Sequence, residues 1–258
     1  MNSKLKHITL TGVDDKTDLH QLISLSAKYP LVEWGILYSP KQQGLGGRYP
    51  SVDKLQHILS TIPSDVKIAL HLCGSSVPGL FSGDELVVDL VNTVAKRCGR
   101  VQLNFTHNSG KVDIKDISNL LYNLPDLTVI TQHNLANDSV WKNLLGHKNF
   151  NVLFDSSGGR GIERNIWPAP LPVSCCGYAG GLGPDNLARQ LPVITDAAAQ
   201  EPFWIDMEGK LRDEYDLFDL TKAEECLKLV YKYSECVINP FMSNVCDLGT
   251  KCCQTNHN

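Results

Sequence analysis

No stretch of this 258-residue chain is apolar for long enough to cross a bilayer, which takes about 20 consecutive apolar residues. An excess of charge of one sign is missing as well: 24 Lys and Arg against 28 Asp and Glu leave a formal net charge of -4. Without a basic stripe there is no footprint for a phosphate backbone, so no nucleic-acid partner is expected. No pair of CxxC units occurs, which removes the usual frame of a structural zinc site, and no cofactor is expected either. The opening MNSKLKHITLTG runs from two lysines into strand-like sequence with no secretory apolar core. The expectation is a cytoplasmic protein with no membrane partner; the sequence does not give its oligomeric state.

What is present is enough apolar material for one large core, at 42% hydrophobic residues. Cysteine is plentiful, with nine in all, an odd number. A disulfide framework suits small secreted domains rather than a chain able to bury its own core. Cys73, Cys98, Cys175, Cys176 and Cys226 fall inside predicted elements and read as buried thiols; Cys236, Cys246, Cys252 and Cys253 crowd the last two dozen residues.

Short apolar runs alternate with amphipathic stretches along the chain. The runs lie at 7–11, 32–38, 66–71, 100–105, 127–132, 150–155, 173–178 and 203–206. They are β-rich and mostly continuous rather than alternating, as for parallel strands covered by helices. Helical spacing of apolar residues marks 17–28, 52–60 with Ser51 as its N-cap, 83–96, 113–122, 138–145, 184–190 and 220–232. Strand followed by helix predicts a parallel sheet with helical crossovers. Eight strands at this length predict one closed (β/α)8 TIM barrel over 1–232, with an open doubly wound sheet as the alternative. Residues 233–258 lose the periodicity and read as an irregular Cys- and Asn-rich tail.

A barrel of this kind carries its chemistry at the C-terminal strand ends and the loops after them. There the sequence places His71 and Cys73 after strand three, Gln102 on strand four, His133 after strand five and Asp155 at the end of strand six. A carboxyl group that ends an apolar strand inside the mouth is partly desolvated, which favours its protonated, proton-donating form. An Asp capping a turn through Ser157 and Gly158 is the plain alternative. Gly180-Gly181, after strand seven, lets backbone approach a ligand, and Pro184 suits the start of a helix whose free N–H groups attract an anion. Alone, a glycine pair is simply a tight turn. Its position after strand seven points to phosphate. Arg48, ending the glycine-rich loop after strand two, is a clamp for an anionic group, and Arg160 is a weaker one.

At these residues the chain resembles phosphoribosylanthranilate isomerase over 8–229, nearly everything outside the tail. The resemblance rests on ordered fragments: Leu10-Thr11-Gly12-Val13, Gly47-Arg48-Tyr49-Pro50-Ser51, Val101-Gln102-Leu103, Leu153-Phe154-Asp155-Ser156 with Gly158-Gly159-Arg160-Gly161, Ala179-Gly180-Gly181-Leu182-Gly183-Pro184-Asp185-Asn186, and Ile205-Asp206 with Gly209. It implies an Amadori rearrangement of an aminoaldose phosphate to an aminoketose. Asp155 then matches the acid that opens the sugar ring, Arg48 the contact to the anthranilate carboxylate, and Gly180, Gly181 and Gly209 the phosphate loops. Gln102, His133 and Arg160 are further candidate substrate contacts.

Two positions depart from the family pattern. The family's catalytic cysteine is replaced by Thr11, whose hydroxyl is a far poorer base than a thiolate. Cys73 and His71 are the nearest substitutes, with His133 more remote. After strand eight stand Met207-Glu208-Gly209-Lys210, and Glu208 would repel a phosphate unless Lys210 offsets it. The expected function is an isomerase-like enzyme acting on a small phosphorylated sugar or phosphoribosyl compound. The alternatives are a barrel that only binds a phosphorylated metabolite or a partner, and metal-dependent hydrolysis at His71, Cys73, His133 and Asp155.

Overall fold

The structure is a computed structural model that describes residues 4–106, 110–155 and 166–238. Eight strands close into a barrel in sequence order: β1 (Leu5–Thr11), β2 (Val32–Tyr38), β3 (Ile68–Cys73), β4 (Arg100–Asn104), β5 (Thr128–His133), β6 (Phe150–Phe154), β7 (Cys175–Ala179) and β8 (Phe203–Met207). Every pairing is parallel, and β8 returns to β1 with Ile205 opposite Ile8 and Asp206 opposite Thr9. Closure of the sheet bears out the expected (β/α)8 architecture over the open alternative.

The helices are α1 (Leu19–Lys28), α2 (Val52–Thr61), α3 (Ser76–Ser82), α4 (Glu85–Ala95), α5 (Ile114–Asn123), α6 (Val140–Asn143), α7 (Leu187–Ala197) and α8 (Leu220–Ile238). Short polar side chains start several of them. Asp18 accepts from the amides of His20 and Gln21, Ser51 from that of Lys54 and Asp84 from that of Val87.

Several boundaries differ from expectation for physical reasons. Gly83 does not open α4; it ends the unexpected helix α3 at φ 83°, a left-handed cap. Helix α6 is a single turn. Helix α7 continues through Pro192, because Leu187, Leu191 and Ile194 bury on both sides of it. Helix α8 runs on to Ile238, past the expected end at Lys232, and Ser234 on it is buried. Cys98 is exposed rather than buried, since it occupies a tight turn at φ 50° before Gly99. The remainder of the expected tail, 239–258, lies outside the described residues.

Two cores result from strand alternation. Outward residues such as Ile8, Trp34, Leu70, Val101 and Phe150 meet the helices in one continuous apolar shell. Each such fully buried side chain contributes about 1.5–3 kcal/mol. Inward residues fill the lumen, where Ile130, Leu153, Cys175 and Trp204 form a separate small cluster. Gly177 leaves the space that the Trp204 indole fills: a Cβ there would sit 2.2 Å from the ring.

The rest of the lumen is charged. Arg100 on β4 reaches Glu33 on β2 at 3.1 Å and stacks over Trp204 with 4.1 Å to the ring centroid. Thr9 donates to Glu33 at 2.8 Å. Burial alone would raise the Glu33 carboxyl, but Arg100, His7 and the Thr9 hydrogen bond hold it below its ordinary value.

Candidate active site at the barrel mouth

Above this ion pair, the C-terminal ends of the strands hold a second polar layer. On β1 and β8, Thr11 donates its hydroxyl to Asp206 Oδ1 at 2.9 Å, and both residues are buried. Across the lumen, His71 Nε2 lies 4.0 Å from Asp206 Oδ2 and has no hydrogen-bond partner among the described residues. Desolvation pushes the Asp206 carboxyl well above the usual range, and the nearby Glu208 and Glu33 add to the effect; Thr11 and Arg100 oppose it. Desolvation also takes His71 down to about 4, so its imidazole is neutral at physiological pH.

A hydrogen-bonded chain crosses the other side of the mouth. Gln102 donates to Asn104 Oδ1 at 2.9 Å, and Asn104 donates to Cys73 Sγ at 3.2 Å. The Tyr49 hydroxyl, from the loop after β2, is hydrogen-bonded to the same thiol. Burial raises Cys73 to about 11 despite these bonds, so it stays a thiol. Of the substitutes expected for the missing cysteine, neither is poised: Cys73 resists ionisation, and His71 is a weak base.

Asp155, one residue beyond β6, is buried and accepts from Gln132 Nε2 at 2.9 Å. It lies close enough to Glu208 to raise that carboxyl further, on top of the larger effect of burial. Glu208 in turn accepts from Arg48 Nη1 at 2.5 Å, and Arg48 Nη2 is 3.4 Å from Asp216. The expected anion clamp is therefore engaged within the protein. Lys210 reaches Asp185 at 2.6 Å, and the cation paired with Glu208 is Arg48. A buried Arg212 ties this edge together, donating to the Gly12 carbonyl at 2.6 Å and to Asp14 at 3.1 Å.

The loops after β7 and β8 flank this group. Gly180 and Gly181 hold φ of 149° and 61°, which favours glycine at both. Asn186 fixes the loop by donating to the Gly181 carbonyl at 2.8 Å and accepting from the Gly183 amide at 3.0 Å. Gly209 opens a short 3-10 turn (Gly209–Leu211), and nothing lies within 4 Å of where a Cβ would stand on it. The backbone there is bare to an approaching ligand.

His133 sits apart from this group. Strand alternation turns Gln132 inward and His133 outward, where its ring packs edge-on against Phe154 and lies 3.8 Å from Asp138. The metal reading needs His133 beside Asp155, and among the described residues no three His, Cys, Asp or Glu side chains are grouped to hold a metal ion. Arg160 lies outside the described residues, as do Ser157, Gly158, Gly159 and Gly161. Missed from the sequence as site residues were Asp206, Glu208, Tyr49 and Asn104. Asp206 closes the apolar run expected at 203–206 just as Asp155 closes that at 150–155, so its signal was present.

With this geometry in place, comparison with solved structures is informative. TrpF from Jonesia denitrificans superposes with a TM-score of 0.59 at 14% identity, covering 88% of this chain and 98% of that one. Phosphoribosyl anthranilate isomerase from Thermotoga maritima gives 0.57 at 14%, covering 88% and 100%. A phosphoribosyl anthranilate isomerase in complex with reduced 1-(o-carboxyphenylamino)-1-deoxyribulose 5-phosphate gives 0.54 at 15%, with the same coverage. This likeness shows the fold. No protein-family model matches the chain, and no curated protein matches it by sequence. Among the described residues no helix is long and apolar enough to cross a membrane.

Proposed function

We propose that the barrel mouth isomerises a small phosphorylated aminoaldose to the aminoketose. The observation that carries the reading is the placement of three acidic residues at the C-terminal strand ends, Asp155 just after β6, Asp206 on β8 and Glu208 just after it, with Asp155 and Asp206 buried. The positive-φ pair Gly180-Gly181 after β7 and the open backbone of Gly209 after β8 accompany them.

In this reading the glycine loops after β7 and β8 take the phosphate. Asp155 protonates the ring oxygen, the ring carbon–oxygen bond breaks, and an iminium forms at C1. Asp206 then removes the C2 proton, and its electrons move to give an enolamine that tautomerises to the aminoketose. Asp206 replaces Cys73 and His71 as the base. Its raised pKa brings it nearer to neutrality, where a general base is most effective. Thr11 takes no proton; its hydroxyl orients Asp206 and favours the ionised form. Gln132 donates to Asp155 Oδ2 and fixes the orientation of that carboxyl.

The test is a direct assay of the purified protein with phosphoribosylanthranilate and a panel of other aminoaldose phosphates. Turnover should fall by about 100-fold or more in Asp155→Asn, the usual scale for losing a general acid. Wild type and variant equally inert across the panel would end the proposal.

One observation favours a second reading, a barrel that binds a phosphorylated metabolite without turning it over: Thr11 stands where the resembled family has cysteine, and burial raises the nearby Cys73 thiol to about 11. Thermal stabilisation by sugar phosphates with no turnover would support it.

A further inference from the structure

We infer that the ligand of this mouth carries an uncharged donor–acceptor group, a carboxamide or its equivalent, where the resembled enzymes' ligand carries a carboxylate. The inference rests on the isomerase reading above and specifies its substrate class. Its basis is the partnership of Arg48. Both terminal nitrogens of the guanidinium face carboxylates of the protein, Glu208 at 2.5 Å and Asp216 at 3.4 Å.

Glu208 is not a passing surface partner. Its side chain retains only 25% exposure, it extends from the residue after β8, and it shares the mouth with Asp155 and Asp206. Among the described residues, Arg212 and Lys210 are also committed, Arg212 to Asp14 and Asp216, and Lys210 to Asp185. A ligand carboxylate brought to Arg48 would share one guanidinium with two protein carboxylates and be repelled by both. It would have to displace Glu208 and leave it without its cation. A carboxamide avoids both: its oxygen accepts from the guanidinium edge while its N–H donates to Glu208, and the ion pair stays intact. Glu208 is therefore a specificity-determining residue, a built-in carboxylate that satisfies the arginine and excludes a second anion.

Two probes differing only in this group test the inference by calorimetric titration: reduced 1-(o-carboxyphenylamino)-1-deoxyribulose 5-phosphate and its o-carbamoyl counterpart, with ribose 5-phosphate as the control for the phosphate and sugar end. Wild type should bind the carbamoyl compound at least tenfold more tightly. In Glu208→Gln, which keeps the shape and removes the charge, that preference should collapse or invert through tighter binding of the carboxylate compound. Asp216→Asn should shift it the same way by a smaller factor. If wild type binds the carboxylate compound as tightly as the carbamoyl one, the inference is overturned even should the variants fail to fold; so is it if Glu208→Gln folds and leaves the ratio unchanged. In both cases binding of ribose 5-phosphate would leave the isomerase reading standing. If none of the three compounds binds, both readings fall together.

Discussion

Thr11 and Asp206, 195 residues apart in sequence, meet across the β1–β8 seam with the threonine hydroxyl donating to the carboxyl at 2.9 Å. Where the resembled family carries a thiol, this barrel carries a hydroxyl that donates to a buried carboxyl. The hydrogen bond favours the ionised form of Asp206 against the stronger effect of burial.

Replacing Thr11 with valine keeps the volume and removes that donor. A hydrogen bond to a charged group contributes about 1.5–3 kcal/mol, and one pKa unit corresponds to about 1.4 kcal/mol. The acid limb of the rate profile for Thr11→Val should therefore move to higher pH by about one to two units. An unchanged limb with an unchanged rate would separate Asp206 from the chemistry.

Asp206 also leaves a mark on stability. Its carboxyl titrates higher in the folded protein than in the unfolded chain, so the folded state binds more protons between the two values. Its contribution is greatest in acid and declines as pH rises through that window, by about 1.4 kcal/mol for each unit of elevation. Asp206→Asn should lose this decline and melt at a higher temperature than wild type near neutral pH, while losing turnover. Melting curves from pH 4 to 8 check the sign. A variant less stable than wild type throughout would contradict it.

His71 acts in the opposite direction. Held near 4 rather than 6.5, it stays neutral in the fold while the unfolded chain takes up a proton, so stability falls as pH drops from 6.5 to 4. The full loss is about 3.5 kcal/mol at about 1.4 kcal/mol per unit. Denaturant titrations of His71→Gln should show a shallower fall over that window, with the part due to His7, also near 4, remaining. Parallel curves for wild type and variant would mean that His71 protonates in place.

Gly177→Ala examines the lumen. The added methyl would meet the Trp204 indole at 2.2 Å, and overpacking of a filled core costs about 1–3 kcal/mol. The denaturation midpoint should fall accordingly. No change would mean that the indole, and Arg100 stacked over it, has room to move.

The strands were legible because most are short, β-rich, largely apolar runs, and the mouth followed from knowing which strand ends carry polar residues. Asp155 stood out as the carboxyl closing such a run. Helix α3 was hidden by Pro78 and Gly79, which lower helix propensity in a segment held by burial of Val77 and Leu80. His133 shows how narrow the margin is: with a period of two, one residue separates a side chain facing the lumen from one facing Phe154. The partnership of Arg48 with Glu208 had no sequence signal, because 160 residues separate them and only barrel closure brings them together.

The most direct test is a crystal structure of the protein soaked with ribose 5-phosphate. The phosphate should rest against the backbone of Gly180, Gly181 and Gly209, with the sugar between Asp155 and Asp206. A mouth that stays empty at saturating ligand, or a sugar phosphate seated away from those carboxyls, would contradict the account.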